Sequence, residues 1–325
     1  MKRKVTRKHF LRLAAGAAAL PAMPRAAFAL DYPSRPVHMI VDLPAGLAPD
    51  VIARLMGPPL SARLGQSVVI ENRPGAGGNI GAEAVVRAPP DGYTLLVMIS
   101  GNAANAALYP NLNFDFVRDI AAVAFLGYTP FVMVIDPSVP AKTLPEFIAY
   151  AKANPGKTNM ASPGTGTAPH LAGELFKMMT GVNLVHVAYR GNYMPDLLGG
   201  QVQVAFIAAA PVLGYIRSGK LRALGVTSAK RLGALPDVPA IAESVPGYEG
   251  SGWTGVGAPR GTPVDIVDKL NKQINDVMAD AALKARLVAL GIEPEPMTPA
   301  QFGKLIADAA EKWAKVIKFA NIKAE

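Results

Sequence analysis

The chain has 325 residues, half of them apolar, 18% charged, with no Cys. That length exceeds one ordinary core, so two domains are expected, and the apolar content excludes a disordered chain. There is no disulfide, thiolate nucleophile or zinc–thiolate site, and the net charge of +9 does not mark a nucleic-acid binder. Seven of the cations (Lys2, Arg3, Lys4, Arg7, Lys8, Arg12 and Arg25) fall in residues 1–29, where there is no acid, so the remainder carries only +2.

The basic start is followed by the weakly apolar run AAGAAALPAMPRAAFA and the small-x-small site Ala27-Phe28-Ala29. This reads as an export signal, residues 1–29, cleaved after about Ala29. Thr6-Arg7-Lys8-His9-Phe10-Leu11-Arg12 resembles the twin-arginine pattern with Lys8 in place of the second Arg, which leaves the export route open. No Cys offers a lipid anchor and no apolar run approaches the roughly 20 residues of a membrane span. The expected location is therefore the periplasm.

Beyond the signal, strands are predicted at 37–41, 68–71 and 93–99, with helices at 50–64 and 79–87 between them. Pro58 and Pro59 predict a kink or break in the first helix. The alternation favours a parallel sheet with right-handed crossovers. It continues with strands at 131–135, 159–161, 184–187, 202–207 and 223–226. Helices are predicted at 143–153, capped by Thr143 with Glu146, at 169–180, and in short pieces near 193–198 and 212–217. After Trp253 the pattern turns helical. Val264, Val267, Leu270, Ile274 and Val277 form one stripe, and Phe302, Leu305, Ala309, Trp313, Val316 and Ala320 form another. Thr298 and Gln301 make a capping box.

The sequence offers little catalytic chemistry. His38, His170 and His186 have no metal-helix spacing, and there is no nucleophile elbow, dinucleotide fingerprint or phosphate loop. No catalytic residue, metal or cofactor is predicted. Three loops rich in small residues each follow a predicted strand. They are 44–48 (Pro44, Ala45, Gly46, Leu47), 100–105 (Ser100, Asn102, Asn105) and 162–167 (Gly164, Thr165, Gly166, Thr167). Any one alone reads equally as an ordinary turn. Three at the carboxyl ends of strands point to a binding cleft, where backbone N–H groups and helix N-termini favour a carboxylate.

YPSRPVHMIV, ENRPGAGGNIGAEAVVRAPPDGYTLL, HLAGELFKMMTGVNLVHVAYRG, DLLGGQVQV, GKLRALGVTSAKRLGALPDVPAIAE and PGYEG occur in order, and together they resemble the Bug-type solute receptors of tripartite tricarboxylate transporters. The resemblance covers nearly all of residues 31–322. It implies an α/β chain with the type II periplasmic binding protein fold, two α/β lobes with a ligand cleft between them. Lobe 1 would be 30–128 plus 253–325 and lobe 2 would be 129–252, with crossings near 127–129 and 251–255.

It further implies that loop 43–48 holds a ligand carboxylate. Ala45, Leu47 and Pro49 depart here from the family's usual stretch, while Gly46 is kept. His170 reads as a hydrogen-bond partner of its own loop ahead of a direct ligand contact. Arg190 reads equally as a bidentate clamp on a second carboxylate and as a solvated side chain. After Phe206 many relatives carry Asp-Asn, whereas this chain has Ile207-Ala208-Ala209-Ala210, an apolar wall without a counter-ion for an ammonium. The expected ligand is a small mono- or dicarboxylate, aliphatic or aromatic. The expected partners are the membrane subunits of the transporter, with the receptor itself a monomer. A ligand-presenting sensor for a two-component system and a periplasmic enzyme on the same fold are the alternatives.

Overall fold

β1 (Val37–Val41) has four buried apolar residues, with His38 the exposed fifth. The structure, a computed structural model, describes residues 32–189 and 191–323; the predicted signal at 1–29 and Arg190 lie outside them. β1 pairs in parallel with β2 (Val68–Asn72) and β3 (Thr94–Ile99). Helix α1 (Ala48–Leu64) connects β1 to β2, and α2 (Asn79–Val86) connects β2 to β3. α1 is continuous through Pro58 and Pro59, so the helix does not break there. Both prolines lie on its exposed face, so the carbonyls they leave without N–H donors can be hydrated.

Helix α3 (Ser100–Leu108) leaves β3 directly, where a loop was predicted. Then follow α4 (Phe116–Asp119) and β4 (Ile120–Thr129), a ten-residue strand where the sequence predicts no strand and which keeps 127–129, the expected crossing, within the first sheet. Only Pro130 separates β4 from β5 (Phe131–Ile135), which opens a second sheet. There the order along the chain is α5 (Leu144–Ala153), β6 (Thr158–Ser162), α6 (Ala168–Thr180), β7 (Leu184–Ala188), α7 (Met194–Leu198), β8 (Val204–Ala208), α8 (Ala209–Arg217) and β9 (Arg222–Val226). The chain returns to the first sheet through β10 (Gly252–Pro259) and ends in α9 (Val264–Met278), α10 (Ala281–Ala289) and α11 (Pro299–Ala320).

The sheets have the orders β2-β1-β3-β10-β4 and β7-β6-β8-β5-β9. Both are mixed rather than purely parallel: β10 runs antiparallel to β3 and β4, and β5 runs antiparallel to β8 and β9. β10 corrects the expectation of a purely helical end. Its glycines lower strand propensity, but they are required by packing. A Cβ on Gly255 would stand 2.1 Å from Cζ of Phe302, and one on Gly257 would stand 2.5 Å from Ile120.

The return passage starts by extending the β5–β9 pairing, since Phe131 N of β5 donates to Thr227 Oγ1 and Thr227 N donates to Phe131 O, each at 2.8 Å. From Arg35 onward the chain is one compact unit. One apolar core spans both sheets, with Leu96 and Phe125 of the first, Met133 and Phe206 of the second, and Trp253, Phe302 and Trp313; a separate cluster around Val132, Val134, Leu197 and Val212 fills the other face of the second sheet. α11 packs on β4, α3 and α6, and so touches both sheets' layers. Val267, Leu270, Ile274 and Val277 are buried on α9, whereas Val264 is 74% exposed and falls off the predicted stripe. The capping box of Thr298 forms as read, with Thr298 Oγ1 accepting from Gln301 N and Gln301 Oε1 accepting from Thr298 N; at Thr143 only the cap forms, Oγ1 accepting from Glu146 N at 3.4 Å, while Glu146 Oε2 accepts from Lys142 N instead.

Candidate functional site

Four helices begin at the carboxyl ends of strands that run parallel within their sheet: α1 after β1, α3 after β3, α6 after β6 and α8 after β8. Each N-terminus presents N–H groups that no helical carbonyl accepts, together with the positive end of the helix dipole. Among the described residues no group of three or more His, Asp or Glu could hold a metal, and no helix is long and apolar enough to cross a membrane.

The first loop, 43–47, is tied down by a carboxylate. Gly46 N donates to Asp50 Oδ2 at 2.8 Å, Arg54 Nε bonds both Asp50 oxygens, and Asn72 Nδ2 donates to Asp50 Oδ1 and to Leu43 O. Burial would raise the pKa of Asp50, but these donors outweigh it and hold the group below its ordinary value. The N–H of Gly46 is thus committed to Asp50. Pro44, Ala45, Gly46 and Leu47 are all exposed, so this end of β1 opens on solvent.

At the start of α3 the predicted residues are mostly engaged within the protein. Asn102 Oδ1 accepts from Ile99 N at 2.8 Å and its Nδ2 donates to Asp42 Oδ2 at 2.7 Å. Asn105 Nδ2 donates to Gly77 O and Asn79 Oδ1. These side chains secure the turns around the strand ends. Ser100, 4% exposed, lies beside the return passage, where a Cβ on Gly252 would stand 3.6 Å from its Oγ.

The second loop, 163–167, has a built support. Gly166 N donates to His170 Nδ1 at 2.9 Å, the loop contact that the sequence favoured for His170. The other imidazole nitrogen, Nε2, lies 3.5 Å from Glu174 Oε1, which also accepts from Lys177 Nζ at 2.8 Å. Burial alone would raise Glu174, yet the bonds from His170 and Lys177 keep it below its ordinary pKa. The His170 ring stacks on His186, centroids 3.6 Å apart, and His186 Nε2 lies 2.6 Å from Ser162 Oγ. Burial, then the neighbouring His170, push the pKa of His186 down to about 4. Thr167 Oγ1 and Ser162 Oγ both donate to Gly164 O, closing the turn. Gly166 also reaches the first sheet's layer, since a Cβ there would stand 2.9 Å from Leu108 of α3. Thr165 lies half-buried in this loop.

At the end of β8, Ile207 is opposite Val132 and 7% exposed, a core residue, while Ala208 is half-buried opposite Phe131. Arg190 lies outside the described residues. Cavities of about 470 and 280 Å³ lie at the passages between sheets, sharing Tyr128, Glu249, Ser251 and Glu295; none of the predicted residues lines them.

The sequence reading missed Asp42, Glu174 and His186 as parts of these strand ends. His186 was counted but had no assigned partner. The β6–β7 register sets it opposite Met160, two residues from Ser162 and on the same face, and only that pairing makes the Ser162 contact legible.

Two mixed five-stranded sheets linked by two passages, with helix N-termini gathered at the strand ends, define the type II periplasmic binding protein fold. A family model for the tripartite tricarboxylate transporter family receptor matches residues 52–322, and the chain belongs to that family. Protein BugT of Bordetella pertussis is 38% identical over 292 residues, 88% of this chain and 90% of BugT. A Rhodopseudomonas palustris protein solved with adipate is 34% identical with TM-score 0.75, covering 90% of this chain and 100% of that one. MatC of the same organism, with bound malate, is 32% identical with TM-score 0.72, covering 88% and 100%.

Proposed function

We propose that this chain is a periplasmic receptor that captures a small organic carboxylate between its two sheets and delivers it to the membrane subunits of a tripartite transporter. The signal at 1–29 would be removed on export. The observation that carries the reading is the convergence of four helix N-termini on parallel strand ends, two from each sheet. Relatives solved with adipate and malate support the same ligand chemistry. Residues 30–128 with 253–325, and 129–252, act as the two lobes, hinged at Pro130 and the return passage. Loops 43–47 and 163–167, Ser100 and Ala208 face the ligand, and Arg190 serves a second carboxylate. The 207–210 segment carries no acid, so an amino acid would find no counter-ion there.

A thermal-shift panel of aliphatic, hydroxy, aromatic and amino acids, preceded by native mass spectrometry of the purified mature protein, tests this. An acid at a hundred times its Kd should stabilise the fold by about 2.7 kcal/mol. A deaminated acid should outperform its amino-acid counterpart. Silence across the panel from folded, ligand-free protein overturns the reading.

A further inference from the structure

Asp42 is the residue at which β1 turns into the first loop, and it is 0% exposed. Its Oδ2 accepts one bond, from Asn102 Nδ2, and its Oδ1 is buried without a partner. The box around it has no slack: a Cβ on Gly78 would stand 2.5 Å from Oδ2, and one on Gly81 would stand 2.8 Å from the Asp42 Cβ. Among the described residues, no cation forms a hydrogen bond or ion pair with it. The 75–81 segment and α3 contain no charged side chain. The charges on the other packed elements answer one another: Arg73 with Glu71 after β2, Arg87 with Glu83 on α2, and Arg54 with Asp50 on α1. Burial pushes the Asp42 carboxyl up to about 7.

We propose that Asp42 is a proton-binding site coupled to the carboxylate site, so that the receptor takes up its acid together with a proton. The proposal rests on the receptor reading above. An ionised Asp42 repels an anion arriving over loop 43–47, and a neutral one does not. Two unit charges on the order of 8 Å apart, at an effective dielectric near 40, change an equilibrium constant about fivefold. The bound anion raises Asp42's proton affinity by the same factor, as linkage requires. Affinity therefore rises as pH falls from about 9 to about 6, a range in which the ligand's own carboxyls stay ionised.

Calorimetric titration of the full mature chain with adipate and with malate, in two buffers of different ionisation enthalpy from pH 6 to 9, reads Kd and proton uptake together. The expected result is a several-fold tighter Kd at pH 6 than at pH 9, with fractional proton uptake near pH 7–8. In Asp42→Asn, Kd should be flat and near the wild-type low-pH value. Binding with a flat Kd and no proton uptake in the wild type overturns this inference and leaves the receptor reading standing. Failure of every acid in the panel to bind at any pH overturns both. Should Asp42→Asn not fold, proton uptake by the wild type decides alone.

Discussion

An imidazole stacked on a second imidazole and half removed from water gives up much of its proton affinity, and a carboxyl boxed in by glycines gains it. His186 and Asp42 show both effects, with pKa values near 4 and 7 against ordinary values of 6.5 and 3.8. The unfolded chain binds a proton at His186 more readily than the native one, so this group destabilises the fold as pH falls from about 6.5 to 4. Asp42 works the other way, since the native state holds its proton, and stability is lost as pH rises from about 4 to 7. In the wild type the two slopes oppose each other over one window, and single variants separate them. Urea melts of Asp42→Asn should show stability rising with pH between 4 and 6.5. Melts of His186→Phe, which keeps the stack, should show it falling with pH from 4 to 7. After discounting His186 for its partial exposure, its share is at most about 2 kcal/mol. Equal slopes in both variants would mean that neither group is perturbed as described. Neither property was legible in the sequence, because an Asp at a strand end gives no sign of whether its oxygens meet water, and the His186 stack depends on a strand register.

At the scale of elements, the strands dominated by apolar residues, β1, β3, β5 and β8, and the capped helices α5 and α11 were legible, because one local signal sufficed. The misread elements are those in which local composition gives way to packing. Ser100-Gly101-Asn102-Ala103-Ala104-Asn105 has the residues of a loop but forms the start of α3, because Asn102 reaches back to Ile99 N in the manner of a capping-box side chain. β10 has a glycine at every second or third position, against strand propensity, and is buried along its whole length between β3 and β4. Its Gly255 receives the edge of the Phe302 ring from α11, which also stands against Trp253 and Phe125. Gly255→Ala should therefore cost about 1–3 kcal/mol by overpacking. Adding Phe302→Leu should recover part of that loss, so that the double variant is more stable than the sum of the singles. A cost below about 0.5 kcal/mol for Gly255→Ala, read from the urea midpoint at unchanged m-value, would show that the ring moves aside freely.

Capture by closure requires that the sheets rotate about the two passages while the core they share stays packed. The strand orders set the lever. β2 is four strands from β4, where the chain leaves the first sheet, and β7 is three strands from β5, where it enters the second. At about 4.8 Å per strand, the outer edge of the first sheet lies roughly 19 Å from the hinge and that of the second roughly 14 Å. A closing rotation of about 20° therefore brings these edges together by on the order of 5 Å, whereas residues beside Pro130 hardly move. α11 packs on β4, α3 and α6, and Lys312 Nζ holds Glu249 O and Oε2 of the return passage, each at 2.8 Å, so this helix is tied to the passage about which the sheets would turn. The absence of native Cys makes the measurement clean. Spin labels at Val69→Cys on β2 and Val185→Cys on β7, both exposed positions, should show a distance distribution that shortens by several ångströms when a stabilising acid is added. A control pair at Lys152→Cys on α5 and Lys220→Cys before β9, both on elements around the second sheet, should stay fixed. Binding without any change between β2 and β7 would show that the acid settles into a preformed site. The four helix N-termini would then act as a static anion cradle rather than as two halves brought together by the ligand.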